Sequence, residues 1–267
     1  MKPAIMPAAP SFPKPSSAEQ VLDLFHWTPS LLSFTTTRPL TLNYVPGQYA
    51  RIALPVDGQP VWRAFSFVSA PHERQLEFLA VLVPDGLFTS RLGDIEPAGT
   101  LWIEHENYGF LTADRFVDGD DLWMLATGTG IGPFISMLRD DAVWRQFRRI
   151  FLVHGVREAA ELVYRDELLR MQSGRNKGQA VLTLLCCLSG SEPVQYGKCT
   201  IAGRMTHAWD TGALEKAAGA AITANASRVM LCGNPQMIED MRARLHARGM
   251  RPCRRMVPGQ FLTENYW

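Results

Sequence analysis

Six residues that follow the apolar run LWMLAT have the types and spacing to hold a phosphate group: Gly128, Thr129, Gly130, Ile131, Gly132 and Pro133. Glycines let a ligand approach the backbone closely. A helix starting there would offer unpaired N–H groups and the positive end of its dipole. Pro133 suits a first helical turn, where a missing N–H costs nothing. The spacing Gly-x-Gly-x-Gly differs from the Gly-x-Gly-x-x-Gly of ordinary dinucleotide dehydrogenases. A tight turn without a ligand is the alternative reading. In an NAD enzyme the next strand tends to end on an acidic residue that holds the ribose 2′-hydroxyl. Here that strand runs VHGVRE, which sets Arg157 just past its end with Glu158 alongside, and Arg204 lies in AGRMT after a later strand. Arginines there favour a 2′-phosphate, hence NADP(H). Either arginine alone also reads as a solvated surface charge; the pair, each past a strand end, carries the argument.

Other chemistry is scarcer. The five cysteines, Cys186, Cys187, Cys199, Cys232 and Cys253, are odd in number and match no zinc or iron–sulfur spacing. They read as reduced thiols of a cytoplasmic protein, with the vicinal pair Cys186–Cys187 marking a buried strand. The histidines are scattered without paired-ligand spacing, so no metal is expected. The sequence closes TENYW. Tyr266 and Trp267 are large amphipathic rings where chains are usually frayed and polar, and they call for a partner surface.

The elements that must position these residues fall into two grammars. QVLDLFHWT, LLSFTTT, QYARIAL, WRAFSFVSA and LEFLAVLV are short, rich in β-branched and aromatic residues, and separated by turn signals. They predict an antiparallel sheet or barrel, with one short helix near FTSRLGDI. Beyond FVDGDD, apolar strands alternate with helical stretches: LWMLAT with a helix from Pro133, RIFLVHGV with AAELVYRDELLRM, AVLTLLCCLS with DTGALEKAAG, and RVMLCGN with PQMIEDMRARLHARG. Alternation of this kind predicts an α/β domain with a parallel sheet. The expected division is a Pro-rich disordered extension over 1–17, a barrel domain over 18–118 and an α/β domain over 119–267.

The order RAFSF after PGQYARI, then PDGLFTSRL, LATGTGIGP, LCGNPQM and the final aromatic pair resembles the bacterial ferredoxin–NADP⁺ reductases, and ENYW their enterobacterial-type branch. The resemblance spans residues 18–267. It implies a Greek-key barrel that binds FAD, with Arg63 on the pyrophosphate, Phe65 against the flavin and Ser66 near flavin N5. Gly86, Thr89 and Ser90 would form a second FAD segment at a helix start. Thr127, Gly128, Thr129, Gly130, Ile131 and Gly132 would surround the NADP pyrophosphate. Cys232 would sit beside the nicotinamide, with Gly233 and Asn234 shaping its pocket; a small buried residue is the other reading of Cys232. Glu264 would relay a proton or stand as a solvated residue. Tyr266 would cover the flavin face and Trp267 the adenine end of FAD. Two departures stand out: Phe65 replaces the family's tyrosine, and Gly190 occupies the place of an arginine that helps bind the 2′-phosphate, with Lys198 as a possible substitute. Strand alternation sets Arg63 and Phe65 on one face and Ser66 on the other, so a twist or bulge is needed for all three to meet FAD.

Composition narrows the field further. Of the 267 residues 46% are hydrophobic and 20% charged, which describes a globular chain with ample core. A net charge of +1 gives no support to nucleic-acid binding. No apolar run approaches the ~20 residues that span a bilayer. The expectation is a cytoplasmic, monomeric FAD enzyme passing electrons between NADPH and ferredoxin or flavodoxin. A reductase component of an oxygenase, an NADPH-dependent flavin reductase and a non-catalytic flavin-nucleotide module are the alternatives.

Overall fold

The computed structural model describes residues 15–174, 179–190, 199–255 and 257–265. Its first half is an antiparallel sheet of β1 (Ser16–Thr28), β2 (Leu31–Thr36), β3 (Tyr49–Val56), β4 (Gln59–Ser66), β5 (Leu76–Val81) and β6 (Thr100–Tyr108), in the order β4-β3-β6-β1-β2-β5. A bridge between Phe67 and Phe78 joins the chain beyond β4 to β5 and brings the two edges of the sheet together. Alternate residues point inward, and Phe34, Phe65, Phe67, Phe78 and Phe88 fill the interior with Ile52, Leu101 and Ile103. Helix α1 (Leu87–Gly93) plugs this barrel with Phe88 and Leu92.

Strand β1 starts inside the stretch expected to be a disordered extension. Ser16 and Ser17 pair with Glu104 and Ile103. The Ser17 hydroxyl lies 3.0 Å from His105 Nε2 and donates to Glu19 at 2.5 Å. A polar stretch with few apolar residues is ordered here because the β6 edge offers its backbone a ladder. The expected extension therefore ends before Ser16; residues 1–14 lie outside the described residues.

The second half is a parallel sheet of β7 (Asp121–Thr127), β8 (Arg149–Val156), β9 (Val181–Leu188), β10 (Cys199–Ala202), β11 (Ser227–Gly233) and β12 (Phe261–Asn265), in the order β10-β9-β8-β7-β11-β12. Helices α2 (Gly132–Arg139), α3 (Ala142–Gln146) and α4 (Arg165–Ser173) cover one face. Helices α5 (Met205–Asp210), α6 (Ala213–Ala218) and α7 (Pro235–Ala247) cover the other. Winding proceeds outward from β7 through β8 to β10 on one side and through β11 to β12 on the other. The direction switches between β7 and β11, where the carboxyl ends of open α/β sheets form a ligand crevice.

Several elements differ from the sequence reading. The helix expected over AAELVYRDELLRM is interrupted: a 3-10 turn covers Ala159–Glu161, and α4 begins only at Arg165. Tyr164 breaks the helix with φ +56, and its hydroxyl donates to Glu77 of the barrel at 2.7 Å. A tertiary hydrogen bond thus overrides a helical pattern. Strands β6, β10 and β12 and helices α3 and α5 were not foreseen. Of β12 only Phe261 and Leu262 are buried, so it lacks an apolar run and exists as a parallel edge to β11.

Candidate active site

A cavity of about 900 Å³ lies at the switch point, within the range of small-ligand pockets. Thr127, Gly128 and Thr129 form one wall, Gly233 and Asn234 another, and Arg157 and Arg204 the rim. Two loops are tied together beneath it. The Asn234 N–H donates to Thr127 Oγ1 at 2.8 Å, and Asn234 Oδ1 caps α7 by accepting from Gln236 and Met237 N–H. Gly233 holds φ +125, and a β-carbon on it would stand 2.3 Å from Thr127 Oγ1.

The glycine loop divides in two. Gly128 and Thr129 line the cavity, whereas Gly130, Ile131 and Gly132 are buried behind it. Gly130 is needed for packing: a β-carbon there would lie 2.4 Å from the Cys232 carbonyl oxygen. Ile131 belongs to the core. Of the six expected phosphate contacts, the geometry leaves three facing the cavity. Arg157 and Arg204 are both exposed, and among the described residues neither guanidinium has an ion-pair partner. At Gly190, the N–H donates to the Arg157 carbonyl at 3.0 Å, and a β-carbon would meet Glu158 Oε1 at 2.7 Å. Lys198 lies outside the described residues. Glu161, Thr206, Gln236 and Asp240 also line the cavity. Sequence reading missed these four because polar residues past a strand end or on an exposed helix carry no periodic signal.

On the barrel, Ser66 ends β4 and is buried. Pairing of β3 with β4 runs from Tyr49↔Ser66 to Val56↔Gln59 without a bulge. Of the twist or bulge expected along this strand, the β3–β4 pairing shows no bulge. Phe65 turns its ring into the barrel core, 5.4 Å from Phe88 and 5.9 Å from Phe34. Without a hydroxyl the ring has no polar tip to keep outside this core. Arg63 is exposed, and its Nη1 donates to the neighbouring Trp62 carbonyl at 2.8 Å. In the PDGLFTSRL segment, the Thr89 hydroxyl donates to the Val83 carbonyl at 3.0 Å. Its single proton is therefore used to close the turn. Ser90 is exposed, and Gly86 precedes α1.

The two halves meet at Glu264. Register sets Glu264 beside Cys232 across β11 and β12. Across the junction Ser66 Oγ makes a long 3.5 Å contact with Glu264 Oε1. A β-carbon on Gly109 would stand 2.8 Å from Glu264 Oε2 and 3.1 Å from the Tyr49 ring, so these groups converge on one point. Burial pushes the Glu264 carboxyl up to about 7, against the opposing hydrogen bond from Ser66. Burial also raises the Cys232 thiol well above its ordinary value, helped by the charge of Glu264. Cys232 is thus a protonated packing group. Tyr49, read from sequence as part of the strand QYARIAL, is the other group missed here; its hydroxyl is raised by burial and then by Glu264. Tyr266 and Trp267 lie outside the described residues.

Comparisons with known proteins decide the family. Residues 26–105 match the oxidoreductase FAD-binding domain, and residues 124–243 match the oxidoreductase NAD-binding domain. The ferredoxin–NADP reductase of Pseudomonas aeruginosa is 36% identical over 92% of this chain and 95% of its own length. The flavodoxin/ferredoxin–NADP reductase of Escherichia coli is 36% identical over 93% of this chain and 97% of its own. This chain belongs to the ferredoxin–NADP reductase family. A crystal structure of a family member from Neisseria gonorrhoeae, a ferredoxin NADP⁺ reductase with bound FAD and NADP, superposes with a TM-score of 0.87 at 30% identity, over 94% of this chain and 98% of that one.

The donor set of this reductase fits both groups. The glycine cradle and free arginines suit a phosphorylated dinucleotide in the cavity. Arg63 on the barrel strand leads toward Ser66 and Glu264, and beside them Tyr49 and Tyr108 stack with centroids 5.6 Å apart. This provides a cation, a hydroxyl and apolar ring faces for a flavin dinucleotide.

Proposed function

We propose that this protein is an FAD-dependent reductase that moves electrons between NADP(H) and a ferredoxin or flavodoxin. The observation that carries this reading is the junction itself. Glu264 stands beside Cys232 and Gly233 at the end of the nucleotide cavity and contacts Ser66 of the barrel. When bound, FAD accepts two electrons as hydride and releases them singly, which links NADPH to one-electron carriers. Arg157 and Arg204 hold the 2′-phosphate; Thr127, Gly128 and Thr129 support the pyrophosphate. Gly233 and Asn234 keep the cavity floor narrow. Arg63 pairs with the FAD pyrophosphate and Ser66 orients the flavin. Glu264 holds a proton near neutrality at the point where the two units meet. Cys232 fills the space behind the nicotinamide as a neutral thiol. The chain divides near residue 118, and the protein works as a cytoplasmic monomer. No described helix is long and apolar enough to cross a membrane.

Spectroscopy tests this directly. The purified protein should be yellow, should release FAD on denaturation, and should bleach with NADPH. Ferredoxin or flavodoxin should restore the colour. Release of FMN alone, or a flavin that NADPH never reduces, would sink the reading. Arg63→Ala should lower FAD retention and leave NADP⁺ binding intact.

A further inference from the structure

His154 is fully buried in β8, yet it is not an inert core residue. Its Nε2 lies 3.0 Å from the carbonyl oxygen of Gly128. A carbonyl can only accept, so Nε2 carries the proton. The other ring nitrogen, Nδ1, is buried without a hydrogen-bond partner. A histidine retained in a core with one nitrogen unsatisfied is costly, so the bond it does make has to matter. Burial pushes its pKa down to about 4, so the ring is neutral at physiological pH.

The geometry of one peptide shows what that bond does. The Gly128 carbonyl and the Thr129 N–H belong to the same planar unit, and all described peptides are trans. In a trans peptide the C=O and the N–H point in opposite directions. His154 lies in the core and is no part of the cavity wall, whereas Gly128 and Thr129 line the cavity. Drawing the Gly128 carbonyl inward therefore turns the Thr129 N–H outward. Thr129 is the second residue of the 3-10 turn Gly128–Ile131, where the first N–H groups have no partner within the turn. Gly128 holds φ +53 and has nothing within 4 Å of its added β-carbon. No side chain and no steric crowding opposes rotation of this peptide, so its orientation rests on hydrogen bonds alone: those of the 3-10 turn and the one from His154.

We propose that His154 is a positioning residue that holds the Gly128–Thr129 peptide with its N–H facing the cavity, preorganised for the diphosphate of the nucleotide. This rests on the cavity being the NADP(H) site. With a flipped peptide, a carbonyl oxygen would face the phosphates and repel them.

Titration of NADP⁺ into the FAD-loaded protein by calorimetry tests it, together with His154→Leu and His154→Gln. Leucine fills the space without a donor; glutamine places an N–H at similar reach. The leucine variant should bind NADP⁺ about tenfold more weakly at unchanged flavin content, and glutamine should stay within about threefold of wild type. Nitrogen NMR of the wild-type imidazole at neutral pH should show the neutral Nε2–H tautomer. Wild-type affinity in the leucine variant overturns the proposal, as does a glutamine variant as weak as leucine. An Nδ1–H or cationic ring does the same, and this holds even if neither variant folds. Wild-type protein that fails to bind NADP⁺ overturns the nucleotide assignment and the proposal together; wild-type binding with unaffected variants overturns the proposal alone.

Discussion

A carboxyl group that keeps its proton near neutrality leaves a thermodynamic trace. Glu264 is raised from 4.5 to about 7 by burial. Between those values the folded state holds a proton that the unfolded chain has lost. The stabilisation is complete below the unfolded value and is lost as pH rises through about 7. The full shift corresponds to roughly 3 kcal/mol, and solvent reaching the half-buried carboxyl reduces that to ~2 kcal/mol. Denaturant melts of wild type should therefore lose stability between pH ~5 and ~8, and Glu264→Gln should flatten that part of the curve. Identical slopes in both proteins would place the proton elsewhere. The rim arginines make a separate prediction. A charge-assisted contact with a 2′-phosphate is worth ~1.5–3 kcal/mol. Arg157→Ala and Arg204→Ala should each raise the KM for NADPH about tenfold or more and leave that for NADH nearly unchanged. If both variants keep the wild-type ratio of the two, the phosphate is bound elsewhere.

Among elements, the strand–turn–helix from β7 to α2 separates two reasons for a glycine. At Gly128 the backbone sits at φ +53 in open space, so Gly128→Ala pays only for a left-handed conformation, about 1 kcal/mol. At Gly130 the added β-carbon meets backbone atoms of Cys232 and Gly233 at 2.4–2.7 Å. Backbone cannot step aside as a flexible side chain can, so Gly130→Ala should cost at least ~2 kcal/mol and weaken NADP⁺ binding by spreading β7 from β11. Comparable melts for the two variants would contradict this. The sequence spoke clearly where a local pattern has a local cause. The apolar runs of β7, β8, β9 and β11 are buried on both faces, and the glycine turn follows its strand directly. It was silent where the cause is distant. Nothing near Phe65 announces that its ring joins Phe34 and Phe88, and the Thr89 hydroxyl is taken by Val83 through turn geometry. Tyr49 and Gly109 join Glu264 only after the two halves dock. Tyr164 looked helical because its partner, Glu77, lies 87 positions away.

The whole molecule depends on how those halves are held. Arg139, at the end of α2, is the main polar tie. Its Nε and Nη2 reach both oxygens of Glu167 at 2.7 and 3.0 Å, and Nη1 reaches Glu77 of the barrel at 2.5 Å. Glu73 stands 3.8 Å away, and Tyr164 donates to the same Glu77. Burial works against the Arg139 charge, but hydrogen bonds and charge from Glu167 and Glu77 outweigh it and raise the pKa. The Ser136 hydroxyl adds a 2.6 Å bond to the Ser69 carbonyl. One guanidinium thus serves carboxylates from both units, in a geometry that a lysine cannot reproduce. Removing it strands Glu77 and Glu167 at a partly dry junction, a loss of about 3–5 kcal/mol. Arg139→Met should therefore lower the melting temperature and separate the unfolding of the barrel from that of the α/β unit. It should also slow turnover more than it raises the KM for NADPH, because nicotinamide and flavin must be held in contact although each still binds its own unit. Glu77→Gln, which keeps the shape and removes one charge, should show the same pattern to a lesser degree. A single transition at the wild-type temperature, with kcat unchanged, would mean that apolar packing alone fixes how the units sit and that the arginine network is incidental to catalysis.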